Sequence, residues 1–408
     1  MSRPFVTGIA ARVFLPFAAG YFISYLFRVV NAVIASDLAG DIGIGPSALG
    51  LLTATYFISF ASFQVPLGLL LDRFGPRRVE AVLLIFAGIG AVLFARAESL
   101  AGLIVGRALI GFGVSSCLMA AFKAYTIWFD RQHWPMINGF QMASGGLGAL
   151  AATYPVEVLL GFTDWRGVFM LLAGMTWAIA VLVFVVVPER RDGLSPEPIA
   201  RQWQGVRQVF ADRGFWRSAP LTTMSQTALL AIQGLWAGPW FRDVVGLDRE
   251  GVAASLFGIA VAMICGWLVL GTLAGRLVQR GYDLMLVAVA GMAVFIVVQL
   301  LLLVCPVSWA LPLWLAFGFF GTSGIIAYPA LSQMFPLQLS GRVSTAINLL
   351  VFVTAFIGQW LIGVIIAFWP VGADGRYAVP GYRTGFLLMA GLQILGLVWY
   401  VVSSRRAR

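Results

Sequence analysis

Apolar runs long enough to cross a bilayer recur along the whole chain, at 12–35, 49–71, 81–97, 101–127, 135–159, 167–187, 217–240, 251–274, 284–305, 308–333, 341–368 and 384–403. A hydrocarbon core of about 30 Å takes roughly 20 apolar residues of helix. A backbone in lipid must also satisfy its own hydrogen bonds, which selects helices or a closed barrel. Runs of this length are helices. A hydrophobic fraction of 60% with only 11% charged residues excludes a soluble domain. The chain is therefore expected to be an all-α membrane protein with twelve transmembrane helices. The third run is short, and its helix is expected to reach Val79 or Glu98. The first is too long for a signal peptide and lacks a small-residue cleavage site, so it is expected to remain as the first helix.

A net charge of +10 would suit a nucleic acid, but its distribution points to a membrane. With these spans, one side of the bilayer holds 18 arginines, among them Arg73, Arg77, Arg78, Arg131, Arg405 and Arg406, and the other holds six. The positive-inside rule then puts both termini in the cytoplasm of a multi-pass inner-membrane protein. Arg77, Arg78, Arg405 and Arg406 are expected to hold topology and anionic lipid headgroups. Cys117, Cys265 and Cys305 fall in apolar runs without metal-ligand spacing and are read as packing residues.

The longest polar interruption, 189–216, separates an N-terminal six-helix bundle over 1–188 from a C-terminal one over 217–408. Within it, Trp203, Val206, Val209 and Phe210 share one face of a short amphipathic helix. The halves repeat faintly. The second span ends at Gly68, Asp72, Arg73, Gly75, Arg77 and Arg78, and the eighth at Gly271, Gly275, Arg276, Arg280 and Gly281. Such pseudo-symmetry is common in secondary transporters, whose site lies between the repeats.

The segment from Gly68 through Asp72, Arg73, Phe74 and Gly75 to Arg77 and Arg78 resembles the cytoplasmic loop signature of the major facilitator superfamily. Arg107, Gly111 and Gly113 resemble its fourth-helix motif. Gly139 to Gly148 and Pro155 are loosely similar to the fifth-helix motif of its exporters, without the Gly-Pro pair. Gly275 stands where an acid would match Asp72. The resemblance implies two pseudo-symmetric six-helix bundles and alternating access. It also implies that Asp72 latches the bundles near Ser340, with Arg73 or Arg131 completing the network. A carboxylate at a helix N-terminus gains about 0.3–1 kcal/mol. Arg107 takes a structural or proton-coupling role in that pattern.

Charges inside the spans are basic: Arg28, Arg107 and the only lysine, Lys123. An intramembrane ion demands a partner or a function, and where the chain supplies no deep acid the substrate is the natural counter-charge. Tyr21, Tyr25 and Arg28 are spaced by four and three, hence on one helix face. A guanidinium is a planar fork suited to carboxylate or phosphate oxygens. This face is similar to the first helix of the family's organic-anion carriers. Lys123 is a second candidate contact. Asn138, Gln141, Gln226, Gln233, Asn348 and Gln359 can complete a pocket or bond neighbouring helices. Gln226 and Gln233, seven apart, share a face; Trp236 and Trp240 extend it or join the interfacial belt.

Coupling is open between uniport, anion exchange and symport. The sole histidine, His133, falls in a loop, which leaves Glu157 as the best acid and Asp37 as a weaker one. No catalytic triad, phosphate-cradling loop or metal cluster is present, so no enzyme, cofactor or metal site is expected. The chain is expected to be a monomeric carrier of a small organic or phosphorylated anion. Proton-coupled efflux of hydrophobic or cationic compounds is the alternative.

Overall fold

In a computed structural model of the chain, residues 7–129, 134–189, 199–335, 339–372 and 375–406 are described. Arg131 and His133 lie outside them. No strand occurs among the described residues, and twelve helical stretches of membrane-crossing length follow one another. Nine are long and strongly apolar. The first is a broken pair, α1 (Thr7–Val29) and α2 (Asn31–Ile42). The second is divided at Phe63 into α3 (Pro46–Ser62) and α4 (Gln64–Phe74). The seventh is a composite described below.

The chain divides into two compact units, one of residues 1–30 and 55–199, the other of 31–54 and 200–408. This division cuts the chain inside the polar connector, and it also assigns 31–54 to the second unit.

In the first unit, α4 ends at Gly75, whose φ of 79° makes the turn, and Pro76 opens α5 (Pro76–Ala95). Proline fits there because the first helical N–H has no partner to lose. Next come α6 (Leu100–Val114), α7 (Cys117–Trp128), α8 (Trp134–Ala151), α9 (Tyr154–Leu160) and α10 (Trp165–Val186). Ser99 and Asp164 cap α6 and α10 through their side-chain oxygens. Small residues set the helix spacing: a Cβ at Gly106 would lie 2.6 Å from the Phe94 amide nitrogen, so α5 and α6 touch backbone to backbone. Gly145 and Gly148 do the same for α8 against Tyr21, Tyr25 and the Phe22 carbonyl of α1. Lipid-facing positions such as Val181 and Val185 of α10 are apolar and exposed, as a bilayer requires.

The second unit begins its later part with α11 (Ile199–Ala211) and α12 (Arg213–Ala231). Val209 of α11 is buried with Phe215, Met285, Leu331 and Val343, so this face docks onto protein as well as being amphipathic. Beyond α12, two π-helical turns, Ile232–Trp236 and Phe241–Val245, flank α13 (Ala237–Trp240). Then come α14 (Arg249–Gln279), α15 (Leu284–Val304), α16 (Ala310–Gly321), α17 (Ala327–Gln333), α18 (Ser340–Ile366) and α19 (Val379–Arg406). Trp236 and Trp240 are both buried, which overturns the interfacial-belt alternative: the Trp236 indole donates to the Gln359 carbonyl at 3.0 Å, and Trp240 packs edge-on to Trp314.

Candidate functional site

Helix periodicity brings Tyr21, Tyr25 and Arg28 to one face of α1, and all three are buried. The two tyrosine rings meet edge to face, with centroids 5.1 Å apart, and the Tyr21 hydroxyl points to Met142 Sδ at 3.7 Å. The Arg28 guanidinium lies 4.3 Å from the Tyr25 ring centroid. Two rings absent from the sequence reading, Tyr56 and Phe60 of α3, complete its surroundings at 5.8 and 5.6 Å. Their four-residue spacing was visible in the sequence, but their pairing with α1 was not. The Tyr56 hydroxyl donates to the Ser24 carbonyl at 3.2 Å, which fixes the ring. A desolvated cation on an aromatic face gains about 2 kcal/mol, enough to hold a guanidinium in place without neutralising it.

Arg107 shares the same tyrosine. It is fully buried, with its guanidinium 5.1 Å from the Tyr56 centroid. Its Nη1 donates to the Phe27 carbonyl at 2.8 Å, in the last turn of α1, while Nε and Nη2 have no hydrogen-bond partner. Arg28 and Arg107 therefore concentrate two positive charges around one ring, deep in the first unit. Part of the Arg107 interaction is structural, because it ties down the end of α1.

The remaining first-unit candidates separate by what they touch. Gln141 accepts from the Tyr125 hydroxyl at 2.7 Å and donates to the Phe17 carbonyl at 3.1 Å, so both ends of its amide join helices α1, α7 and α8. Asn138 lies one turn before it on α8, with its Oδ1 buried and unpartnered. Lys123 is half-buried on α7, and Glu157 is half-buried in the first turn of α9. Asp72 is carried by the last turn of α4. Arg73, Arg77 and Arg78 line a pocket of about 190 Å³ together with Trp128 and Pro188. Arg78 pairs there with Glu189 at 2.6 Å.

In the second unit, Gln226 donates to the Gly321 carbonyl at 3.3 Å. Gln233 is buried in the first π-helical turn with its Nε2 unpartnered. Asn348 accepts from the Tyr328 hydroxyl at 3.1 Å. Gln233, seven residues after Gln226, is the second residue of the π-helical turn that follows α12.

One buried acid, Glu80, corrects the expectation that no carboxylate lies deep, and a second, Asp243, is buried at a span end. Glu80 is fully buried, and neither of its oxygens has a hydrogen-bond partner. The sequence reading began the third span at 81; the helix instead opens at Pro76 and carries Glu80 inward on the face that also buries Leu84, Ala87 and Ala91. Asp243 lies in the second π-helical turn, at the end of the seventh span. Its carboxylate accepts from Arg242 Nη2 at 3.2 Å, the Tyr377 amide at 3.0 Å and the Tyr382 hydroxyl at 2.7 Å. Burial pushes the Tyr377 phenol above its ordinary range, with Arg242 pulling the other way.

Comparison with known proteins gives one family. The profile of the Major Facilitator Superfamily matches residues 17–359. A probable sulfoacetate transporter of Cupriavidus necator is 25% identical over 342 residues, covering 74% of this chain and 80% of that protein. A quinolone resistance transporter of Acinetobacter baumannii is 25% identical over 190 residues, 45% of this chain and 44% of its own length. A putative tartrate transporter of Agrobacterium vitis is 24% identical over 243 residues, 57% and 53% of the two chains. Among solved structures, a bacterial homologue of the human lysosomal transporter Spinster superposes with a TM-score of 0.79 at 16% identity, covering 99% of this chain and 98% of that one.

Proposed function

Because the chain belongs to the Major Facilitator Superfamily, and is thus a multi-pass membrane transporter rather than an enzyme, we propose that it carries a small organic or phosphorylated anion, by uptake or exchange, with Arg28 as the principal contact. The observation that carries this reading is the Arg28 guanidinium held among the Tyr25, Tyr56 and Phe60 rings, with Arg107 also beside Tyr56. Rings position the charge, and a planar guanidinium is suited to a carboxylate, sulfonate or phosphate. The sulfoacetate and tartrate relatives support an anion. Lys123, Tyr21, Tyr25, Asn138, Gln141, Gln226, Gln233 and Asn348 assist in binding. Asp72, Arg73, Arg77, Arg107, Arg131 and Glu157 act in gating or coupling. The excess of arginine on one side supports cytoplasmic termini in the cell inner membrane.

The test is a thermal-shift screen of the purified protein against sulfoacetate, tartrate, nitrate, phosphate esters and a set of organic cations, since a ligand that prefers the native state raises apparent stability. An anion stabilises the wild type, Arg28→Lys weakens the shift by removing the fork, and Arg28→Ala abolishes it. Asp72→Asn leaves the shift intact while slowing transport in vesicles, because its role is in the conformational equilibrium. The quinolone resistance relative keeps efflux as the second reading. Stabilisation by neutral or cationic compounds alone, undiminished in R28A, replaces the anion assignment with efflux.

A further inference from the structure

Glu80 takes no part in the anion contacts, yet it is the most unusual group in the first unit. It sits one turn into α5 and is fully buried with both carboxylate oxygens unpartnered. Its Oε1 fills the space a side chain would need at Gly20 of α1, and the Cys117 thiol of α7 lies 3.8 Å from that same point. Gly20 is eight residues from Arg28 on the same helix, about 12 Å along its axis. Cys117 and Tyr125, eight residues apart, are both buried on α7.

The other elements packed against α5 bring little charge. α10 has one titratable side chain, Arg166, near its start, and α6 has only Arg107. α4 contributes Asp72 and Arg73 at its end, and α7 contributes Cys117, Lys123 and Tyr125. A carboxylate without a donor or counter-charge cannot persist as an ion in such a place, so the form compatible with this packing is the neutral acid. As pure packing, an acid is a poor choice: an apolar side chain of similar volume would fill the seam and leave no polar atom unsatisfied. A group that is neutral when enclosed and ionised when hydrated is a proton carrier.

We propose that Glu80 is a proton-binding site of this transporter, loaded when α1, α5 and α7 close around it and unloaded when the seam at Gly20 admits water. The inference rests on the carrier reading but not on which solute is carried. It takes the coupling role that sequence reasoning gave to Glu157.

The test is an infrared titration of the purified protein in lipid vesicles, wild type against Glu80→Gln and Glu80→Asp, following the carbonyl stretch of protonated carboxylic acids. One such band is present at neutral pH in the wild type, is lost in E80Q, shifts in E80D, and fades as pH is raised. A band that persists at every pH at which the protein stays folded makes Glu80 a permanently neutral packing group and overturns the proposal. A wild-type spectrum that E80Q leaves unchanged overturns it as well. Neither readout needs a substrate, so failure here is distinct from failure of the anion assignment. Where sulfoacetate is carried, E80Q keeps counterflow and loses accumulation driven by a proton gradient; loss of both, or retention of both, counts against the site.

Discussion

Each unit buries a carboxylate, and the two are held in opposite ways. Asp243 in the second unit accepts from a guanidinium, a backbone amide and a phenol, so its charge is matched and its geometry is over-determined. Glu80 in the first unit has no donor at all. Burial alone therefore does not mark function. Satisfied hydrogen bonds turn an acid into a staple, here joining the end of the seventh span to the segment around Tyr377 and Tyr382. An unsatisfied acid contributes nothing to the fold that an apolar residue would not, and its retention asks for a role in the transport cycle.

Removing the staple is the most damaging test of this contrast. Asp243→Ala leaves Arg242 half-buried without its partner and strips an acceptor from two further donors, with an expected loss of about 3–5 kcal/mol. A fall in melting temperature of the detergent-solubilised protein, far beyond that of E80Q, is the outcome that keeps the contrast. Tyr382→Phe removes one hydrogen bond to a charged group and should cost about 1.5–3 kcal/mol by the same assay. If D243A melts like the wild type, the network is decorative and the distinction between the acids fails.

The sequence made some of this legible and hid the rest for physical reasons. The Arg28 face was readable because Tyr21, Tyr25 and Arg28 lie on one helix, where spacing alone decides which side chains are neighbours. Tyr56 and Phe60 come from another helix, and no periodicity says which helices pack together. The third apolar run begins after Glu80 because hydropathy trims a run at its first charge, whereas Pro76 starts the helix one turn earlier and the packing at Gly20 makes room for the side chain. The span order was legible throughout, since each apolar run fixes one helical stretch, whole or broken. The seventh carries two π-helical turns, Ile232–Trp236 and Phe241–Val245, and nothing in composition announces a π-turn.

A smaller effect probes the Glu80 seam directly. A Cβ at Gly20 meets the Glu80 carboxylate, so Gly20→Ala forces a shift of α1 or of the side chain at about 1–3 kcal/mol, the usual scale of overpacking. In an E80A background the same substitution should cost measurably less, because the two sites are in contact and must couple. Equal costs in both backgrounds would place the Glu80 side chain away from Gly20 and undo the packing argument.

The smallest effect belongs to a third acid, which separates charge pairing from burial. Asp37 on α2 receives two hydrogen bonds from Arg249 at the start of α14, at 2.9 and 2.7 Å, as complete a pairing as that of Asp243 with Arg242. Its side chain is 24% exposed and that of Arg249 is 48% exposed. Water then competes for both partners, and the pair should contribute only about 0.2–1 kcal/mol in a double-mutant cycle of Asp37→Ala and Arg249→Ala. The coupling should shrink further in high salt, because exposed charges are screened. Asp37 and Asp243 thus each have a bidentate arginine of their own and differ in solvent. If their cycles gave equal coupling energies, the strength of the Asp243 network would come from the arginine alone. A several-fold larger value for Asp243 attributes it to the buried phenol and amide that only that acid has.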